Sequence, residues 1–139
     1  MKKTMLAFWL AITPLWGFSQ QASTFQGYFV NKEYNVYLKI NLQDNNITIP
    51  GHELFGELPG YLGKTNNSFV WIVTSGKQKH DKATLSLIND YGSEDLTAEI
   101  ALKGDSVLVF RQLEGSALKV PNKGKWQKLP KEFTLTRKK

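Results

Sequence analysis

The stretch VYLKINLQ, residues 36–43, alternates apolar and polar side chains along its whole length. Side chains of a β-strand point to opposite faces in turn, so this period of two predicts a strand with one buried face. The same alternation recurs in residues 83–88 and 96–102, with one apolar exception on each outer face, Ile88 and Ala101. These three segments predict an all-β protein.

Further strand-like runs follow at regular spacing, separated by turn residues. The pair Gly104-Asp105 suits a tight hairpin because glycine accepts a positive φ. Residues 133–137 add a final strand. Short strands at regular spacing are typical of a barrel or sandwich, and we predict a small up-and-down antiparallel barrel of about eight strands. The eight predicted strands are residues 25–30, 36–42, 47–49, 54–58, 69–74, 83–88, 96–102 and 107–113.

One of these strands, FVWIV at residues 69–73, is apolar at every position. A strand of this kind needs cover on both of its faces, whereas alternating strands need it on one. Two arrangements satisfy this requirement. Either a loop lies over the outer face, or that face meets a partner.

The segment IPGHELFGELPGYLGK, residues 49–64, holds four glycines and two prolines. Proline cannot donate to a β-ladder and glycine permits bulges, so we predict bent strands joined by Pro-Gly turns. The alternatives are a metal or acid–base site at His52, Glu53 and Glu57, or a mobile rim over a cavity at residues 56–63. The metal site has little support because HELFG lacks the second histidine of the zinc-protease motif.

Residues 89–95, NDYGSED, cluster side-chain oxygens, but their spacing differs from that of a calcium loop and is typical of a turn. The chain has no cysteine, and its two histidines, His52 and His80, lie in no setting that marks a general base. A nucleophile elbow and a phosphate loop are also missing from the sequence. We therefore expect no catalytic residue, no cofactor, no metal site and no enzyme activity.

The first residues have the pattern of a secretory signal peptide. Lys2 and Lys3 precede an apolar run that Pro14 interrupts, and small residues at Gly17 and Ser19 suit cleavage before Gln20. We predict a signal peptide at 1–19 and a single β-barrel domain at 20–139, exported to the periplasm or outside the cell. No transmembrane segment is expected, because no later stretch is apolar enough to cross a bilayer.

Positive charge is concentrated near the C-terminus of a chain whose net charge is +6. From Lys119 onward there are eight Lys or Arg and one Glu, whereas residues 20–118 carry eight Lys or Arg and eleven Asp or Glu. We predict a basic C-terminal tail from about residue 115. Such a tail either meets a protein or anionic surface, or is solvated and docks on the acidic body of its own domain. No nucleic-acid partner is expected.

Three short motifs follow one another in the order found in lipocalins and the wider calycin group. Gly27-Tyr28-Phe29 resembles that group's Gly-x-Trp on the first strand, with Phe29 in place of tryptophan. Residues 89–91 resemble its Thr-Asp-Tyr between the sixth and seventh strands, and Arg111 is similar to its arginine on or just after the eighth. The resemblance covers residues 25–113 and implies an eight-stranded barrel that is either packed solid or holds one small ligand.

Two functions follow from these observations. The first is an exported, lipocalin-like protein that binds a small apolar or amphipathic ligand inside the barrel. Its predicted ligand-binding residues are Leu38, Ile40, Phe69, Trp71, Val73, Leu87, Ile100 and Arg111. The second is an extracytoplasmic protein-binding module, of the inhibitor, immunity or adhesion type, with a packed core. Its predicted partner-binding residues are Lys123, Lys125, Trp126 and Lys128, since an aromatic among lysines can anchor a partner.

The intact mass of the exported protein checks the export prediction. We expect a chain that begins at Gln20 or within a few residues of it, because the lysines, the apolar run and the small residues coincide there. A mass that corresponds to all 139 residues would contradict both the signal peptide and the localisation.

Overall fold

The computed structural model describes residues 25–138, so the predicted signal peptide lies outside the described residues. Within this range the protein is all-β, with a single 3-10 turn at Glu53–Phe55. The strands are β1 (Gln26–Asn31), β2 (Val36–Asn41), β3 (Ile47–Thr48), β4 (Glu57–Leu58), β5 (Gly60–Lys64), β6 (Val70–Lys79), β7 (Lys82–Asn89), β8 (Asp95–Lys103), β9 (Val107–Gly115), β10 (Lys119–Asn122), β11 (Lys125–Lys128) and β12 (Glu132–Arg137). No helix among these residues is long and apolar enough to cross a membrane.

Eight of the strands form a closed antiparallel barrel in the order β1-β2-β5-β6-β7-β8-β9-β12, with β12 pairing back onto β1. The predicted eight-stranded barrel is therefore confirmed, but two of its members differ. Residues 47–49 and 54–58 supply β3 and β4, which pair with each other outside the barrel. Their places in the barrel wall are taken by β5 and by the final strand β12.

The alternation of side chains did not predict β5, because two of its five residues are glycines. At Gly60 an added Cβ would lie 2.2 Å from the carbonyl oxygen of Lys39, so the two backbones meet at a distance that only glycine permits. At Gly63 the ring of Tyr37 occupies the space where a Cβ would stand. With glycine at these two positions, β5 shows no alternation of apolar and polar side chains.

Apolar side chains fill the inside of the barrel. Leu38 and Ile40 point inward from β2, as their alternation predicted, and Trp71, Phe29 and Phe110 are fully buried beside them. Burying each of these large side chains contributes about 1.5–3 kcal/mol. The members form one continuous cluster that reaches every strand of the barrel. This cluster is called the barrel core below.

Residues 42–59 leave the barrel after β2, run along its outside and return at β5; we call them the outer arm. Beneath the arm lies a second apolar cluster, separate from the barrel core, in which Ile49 of the arm packs on Tyr61, Val70 and Ile72. This explains the FVWIV strand. Alternate residues face the core and the arm, so a loop covers its outer face as one of the two alternatives predicted.

These contacts decide between some of the alternatives predicted for residues 49–64. The segment contains a Pro50-Gly51 turn, the 3-10 turn, β4 and β5, which is close to the bent strand pair that was predicted. Residues 56–63 lie on the barrel wall and in the arm. Most of these residues pair in ladders through β4 and β5, with β3, β2 and β6 as the neighbouring strands.

The β10–β11 hairpin closes one end of the barrel. Its two-residue turn, Lys123-Gly124, has positive φ at both positions, as a type I′ turn requires. Leu118, Val120 and Leu129 at the base of the hairpin are buried in the barrel core. The basic C-terminal segment is thus built into the fold as a cap and a barrel strand. We call the end it covers, which also contains turns 32–35, 65–69 and 90–94, the hairpin end.

A matched pair of substitutions tests the inward and outward faces of β2. Leu38→Asp should unfold the domain, because an unpaired buried carboxylate costs several kcal/mol out of the ~5–15 kcal/mol that usually stabilises a domain. Lys39→Asp, on the exposed face next to it, should be tolerated. Thermal unfolding followed by circular dichroism measures both. Equal and small effects would contradict the assignment of the two faces.

Candidate functional site

The hairpin end carries a cleft of about 220 Å³ that opens to solvent between the β10–β11 hairpin and the β7–β8 turn. We call it the aromatic cleft. Four aromatic side chains and four polar ones line it. They are Phe69, Trp71, Tyr91 and Trp126, with Asn89, Ser93, Glu94 and Lys119.

Three of the aromatic rings contact one another edge to face or at a tilt. The ring of Phe69 lies 5.0 Å from that of Trp126 and 5.9 Å from that of Tyr91, between centroids. Tyr91 and Trp126 are 6.4 Å apart. Phe69 is buried, but Tyr91 is 71% exposed and Trp126 is 51% exposed. Large aromatic rings that stay this exposed on an ordered frame are the side chains that most often anchor a partner.

Two sets of hydrogen bonds hold the rings in place. The indole nitrogen of Trp71 donates to the carbonyl oxygen of Lys119 at 2.8 Å, which ties the hairpin to the barrel wall. In the β7–β8 turn, the buried Asn89 accepts from the backbone N–H groups of Ser93 and Glu94. This amide shapes the turn that presents Tyr91. Residues 89–95 therefore form a turn, as predicted, and the side-chain oxygen of Asn89 stabilises it.

Positive charge is concentrated on the hairpin that forms one side of the aromatic cleft. The hairpin from Lys119 to Lys128 carries four lysines and no acidic residue. The ammonium of Lys119 lies 3.6 Å from a carboxylate oxygen of Glu94, so one of the four is partly neutralised. The predicted partner-binding residues Lys123, Lys125, Trp126 and Lys128 all lie on this hairpin, and all four are exposed. Of the four, Trp126 lines the aromatic cleft, and the three lysines lie on the same hairpin.

The tip of the outer arm reaches the same turn. His52 donates a hydrogen bond from Nε2 to Oδ1 of Asp90, the neighbour of Tyr91. The ring of Phe55 stacks on that of His52 with 5.4 Å between centroids. Phe55 and the adjacent Leu54 are exposed. The arm thus adds exposed apolar surface near the β7–β8 turn. The hydrogen bond of His52 connects the arm to that turn.

The acidic residues of the arm are engaged in local structure. Glu53 accepts from the backbone N–H of Gly51, and bonds of this kind lower the pKa of its carboxyl. Glu57 lies on β4 and is exposed. Within residues 25–138, no group of three or more side chains is placed to hold a metal ion.

The predicted ligand-binding residues divide into two sets. Seven belong to the barrel core, where they pack against one another and leave the interior filled: Leu38, Ile40, Phe69, Trp71, Val73, Leu87 and Ile100. Of these, Phe69 and Trp71 also reach the aromatic cleft at the end of the barrel. The eighth, Arg111, lies on the outer surface of β9.

A different arginine contacts the first strand. Arg111 is 49% exposed and donates to Glu99 at 2.8 Å, which lowers the pKa of that carboxyl. Arg137 on β12, the eighth strand of the barrel, lies over the ring of Phe29 at 4.7 Å. Its guanidinium also donates to the carbonyl oxygens of Gln26 and Asp105, both at 2.8 Å. Arg137 lies on the eighth strand of the barrel, whereas Arg111 lies on the seventh.

Sequence reasoning missed several members of the cleft. Tyr91 was noted only as part of a turn motif, and Lys119 and Glu94 only as charges. No local pattern could have joined them, since they come from β10 and from the β7–β8 turn. Three lining residues were among the predicted site residues: Phe69, Trp71 and Trp126.

Comparison of the chain with protein-family models, with curated proteins and with solved structures finds no match. The closed eight-stranded antiparallel barrel is compatible with a calycin-like fold and with a binding protein.

The two arginines give a matched test of the barrel seam. Arg137→Gln should lower the free energy of unfolding by about 2 kcal/mol, because two carbonyl oxygens lose a charged donor and Phe29 loses its cation–π contact. Arg111→Gln should change it little, since exposed ion pairs contribute almost nothing. Urea unfolding measures both variants. Equal losses would show that Arg137 does not hold the seam.

Proposed function

We propose that this protein is an exported, non-enzymatic binding module that uses the surface of the hairpin end to hold a partner protein. The observation that carries the proposal is the pair of exposed rings, Tyr91 and Trp126, fixed at the edge of a barrel whose interior is filled. Signal-peptide pattern and barrel fold are consistent with it. Lipocalin-like ancestry is part of the same proposal and rests on the strand order and on the Phe29–Arg137 contact.

Size favours a protein over a small molecule as the occupant. Ligand pockets for small molecules usually enclose about 300–1,000 Å³ and bury most of their ligand. The aromatic cleft measures about 220 Å³ and is open to solvent. A single side chain of a partner fills such a space, with Tyr91 and Trp126 as the walls. Exposed Phe55 and Leu54 extend the contact beyond the cleft.

Charge specifies the partner's chemistry. Three lysines of the hairpin, Lys123, Lys125 and Lys128, are exposed and have no carboxylate within 4.0 Å among the described residues. Exposed lysines on one hairpin attract a surface of opposite charge and steer the encounter. We therefore propose an acidic partner surface that inserts one apolar side chain into the aromatic cleft.

A small apolar ligand is the second candidate, with the aromatic cleft as its site in place of the barrel interior. Only the inner walls of the cleft, formed by Phe69 and Trp71, favour it. A ligand as large as a fatty acid exceeds the cleft, so this candidate is restricted to a single ring or a short chain.

Site-specific photo-crosslinking in cells that produce the protein naturally tests the proposal. A crosslinking residue at Lys125, beside Trp126, should give a defined protein adduct, and the same residue at Lys79 on the β6–β7 hairpin should not. Trp126→Ala should remove the adduct without unfolding the protein, because the ring is half exposed. The yield of the adduct should also fall as the salt concentration of the medium is raised, since exposed charges are screened.

Native mass spectrometry of the purified protein separates the two candidates. A stoichiometric small molecule that Trp126→Ala releases would replace the protein partner by the second candidate. An adduct that persists in Trp126→Ala would disprove the aromatic anchor.

A further inference from the structure

A second cleft, of about 300 Å³, lies at the hairpin end and differs in character from the aromatic cleft. Its lining is polar, with no acidic residue, and we call it the polar cleft. It is formed where the turns before β2 and after β5 meet the tip of the β10–β11 hairpin. The lining residues are Asn35, Lys64, Thr65, Asn66, Asn67, Pro121, Asn122 and Lys123.

Lys64 is the one buried residue among these eight, with 7% of its surface exposed. Its position follows from the alternation of β5, because Leu62 two residues earlier faces the barrel core, as does Val36 across the ladder. Lys64 therefore points inward at the mouth of the barrel. Its ammonium donates one hydrogen bond, to the carbonyl oxygen of Tyr34 at 2.8 Å.

An ammonium has three donors, and a buried charge usually has a counter-charge. No carboxylate pairs with Lys64 among residues 25–138. Burial lowers the pKa of Lys64, which is the direction expected of a cation that lacks an opposite charge. Inward lysines protect exposed sheet edges in some proteins, but β5 is paired on both sides, with β2 and β6, so it has no edge to protect.

The rim of the polar cleft supplies further donors. Lys123 adds a second ammonium, and the side chains of Asn66 and Asn122 are amides with no hydrogen bond to other described residues. Asn67 accepts from the backbone N–H of Phe69 through its oxygen, which leaves its NH₂ group as a donor. Lysine and amide donors around an enclosed positive charge are the groups that bind oxyanions.

We infer that the polar cleft binds a small free oxyanion, a carboxylate or a phosphate group, with the Lys64 ammonium as its principal charge partner. The anion supplies the counter-charge that none of residues 25–138 provides. Lys123 and the asparagines hold it from the rim. This inference does not depend on the partner proposed for the aromatic cleft, because Lys64 carries it and no second protein is needed. Lys123 is the one residue that both proposals use.

The test is a titration of purified, ¹⁵N-labelled protein with inorganic phosphate and, separately, with succinate, at constant ionic strength. Backbone amides at residues 65–67 and 122–123 should shift together and saturate. Lys64→Met should weaken binding about tenfold or more, as expected for the loss of a charged hydrogen bond. Lys77→Met, which removes an exposed lysine from β6, should bind as the unsubstituted protein does.

Thermal unfolding gives a readout that does not depend on spectra. Phosphate should raise the melting temperature of the unsubstituted protein and of Lys77→Met, since a ligand stabilises the state it binds, and should not raise that of Lys64→Met. If Lys64→Met fails to fold, Lys123→Gln serves instead and should weaken binding several-fold.

Two further outcomes would overturn the inference. One is a set of shifts scattered over the exposed lysines, with equal binding in Lys64→Met. The other is a protein that binds neither free phosphate nor succinate but binds vesicles of phosphatidylglycerol and not those of phosphatidylcholine. That result would make the hairpin end a surface for anionic lipid.

Discussion

Closure of β1 against β12 is the contact on which the rest of this barrel depends. Seven of the eight seams join strands that the chain visits in turn, but this one joins the two ends of the domain. Its ladder is short, with Phe29 opposite Arg137 and Val30 opposite Thr136. Arg137 reinforces it by bonding to Gln26, 111 positions away, and by covering the ring of Phe29. A pairing this distant forms late in folding, because the entropy of the whole loop must be lost first.

A filled interior moves the chemistry of the molecule to its outside. Barrels of eight strands are just wide enough for side chains to fill, and here large residues such as Trp71 and Phe110 do so. The β10–β11 hairpin then closes one end with Val120 and Leu129. Because the inner side of the hairpin is committed to the core, its lysines and Trp126 face solvent, and both clefts form where it meets the turns of the barrel.

Much of the wall could be predicted from the sequence alone. Alternation located β2, β7 and β8, since each has one wet and one buried face. The same rule failed at β5, where Gly60 and Gly63 make room for the neighbouring strand. It also misplaced residues 47–58, of which Ile47, Ile49 and Leu58 pack against the outside of the barrel. Arg111, expected on or just after the eighth strand, lies on the seventh strand of the barrel for a related reason. With β5 uncounted and β3 and β4 counted, the strand numbering shifted, and Arg137 lay beyond it.

The candidate sites show where local sequence information ends. Sequence by itself determined that the protein is all-β, that it forms a barrel of about eight strands, and that residues 69–73 need cover on both faces. These follow from the period and polarity of neighbouring side chains. Only the tertiary structure decided that the barrel is filled, that Tyr91 and Trp126 meet, and that Lys64 is buried with no carboxylate partner in the described part of the chain. Each of these depends on side chains brought together from distant strands, and the spacing of residues along one strand holds no record of which strand lies opposite.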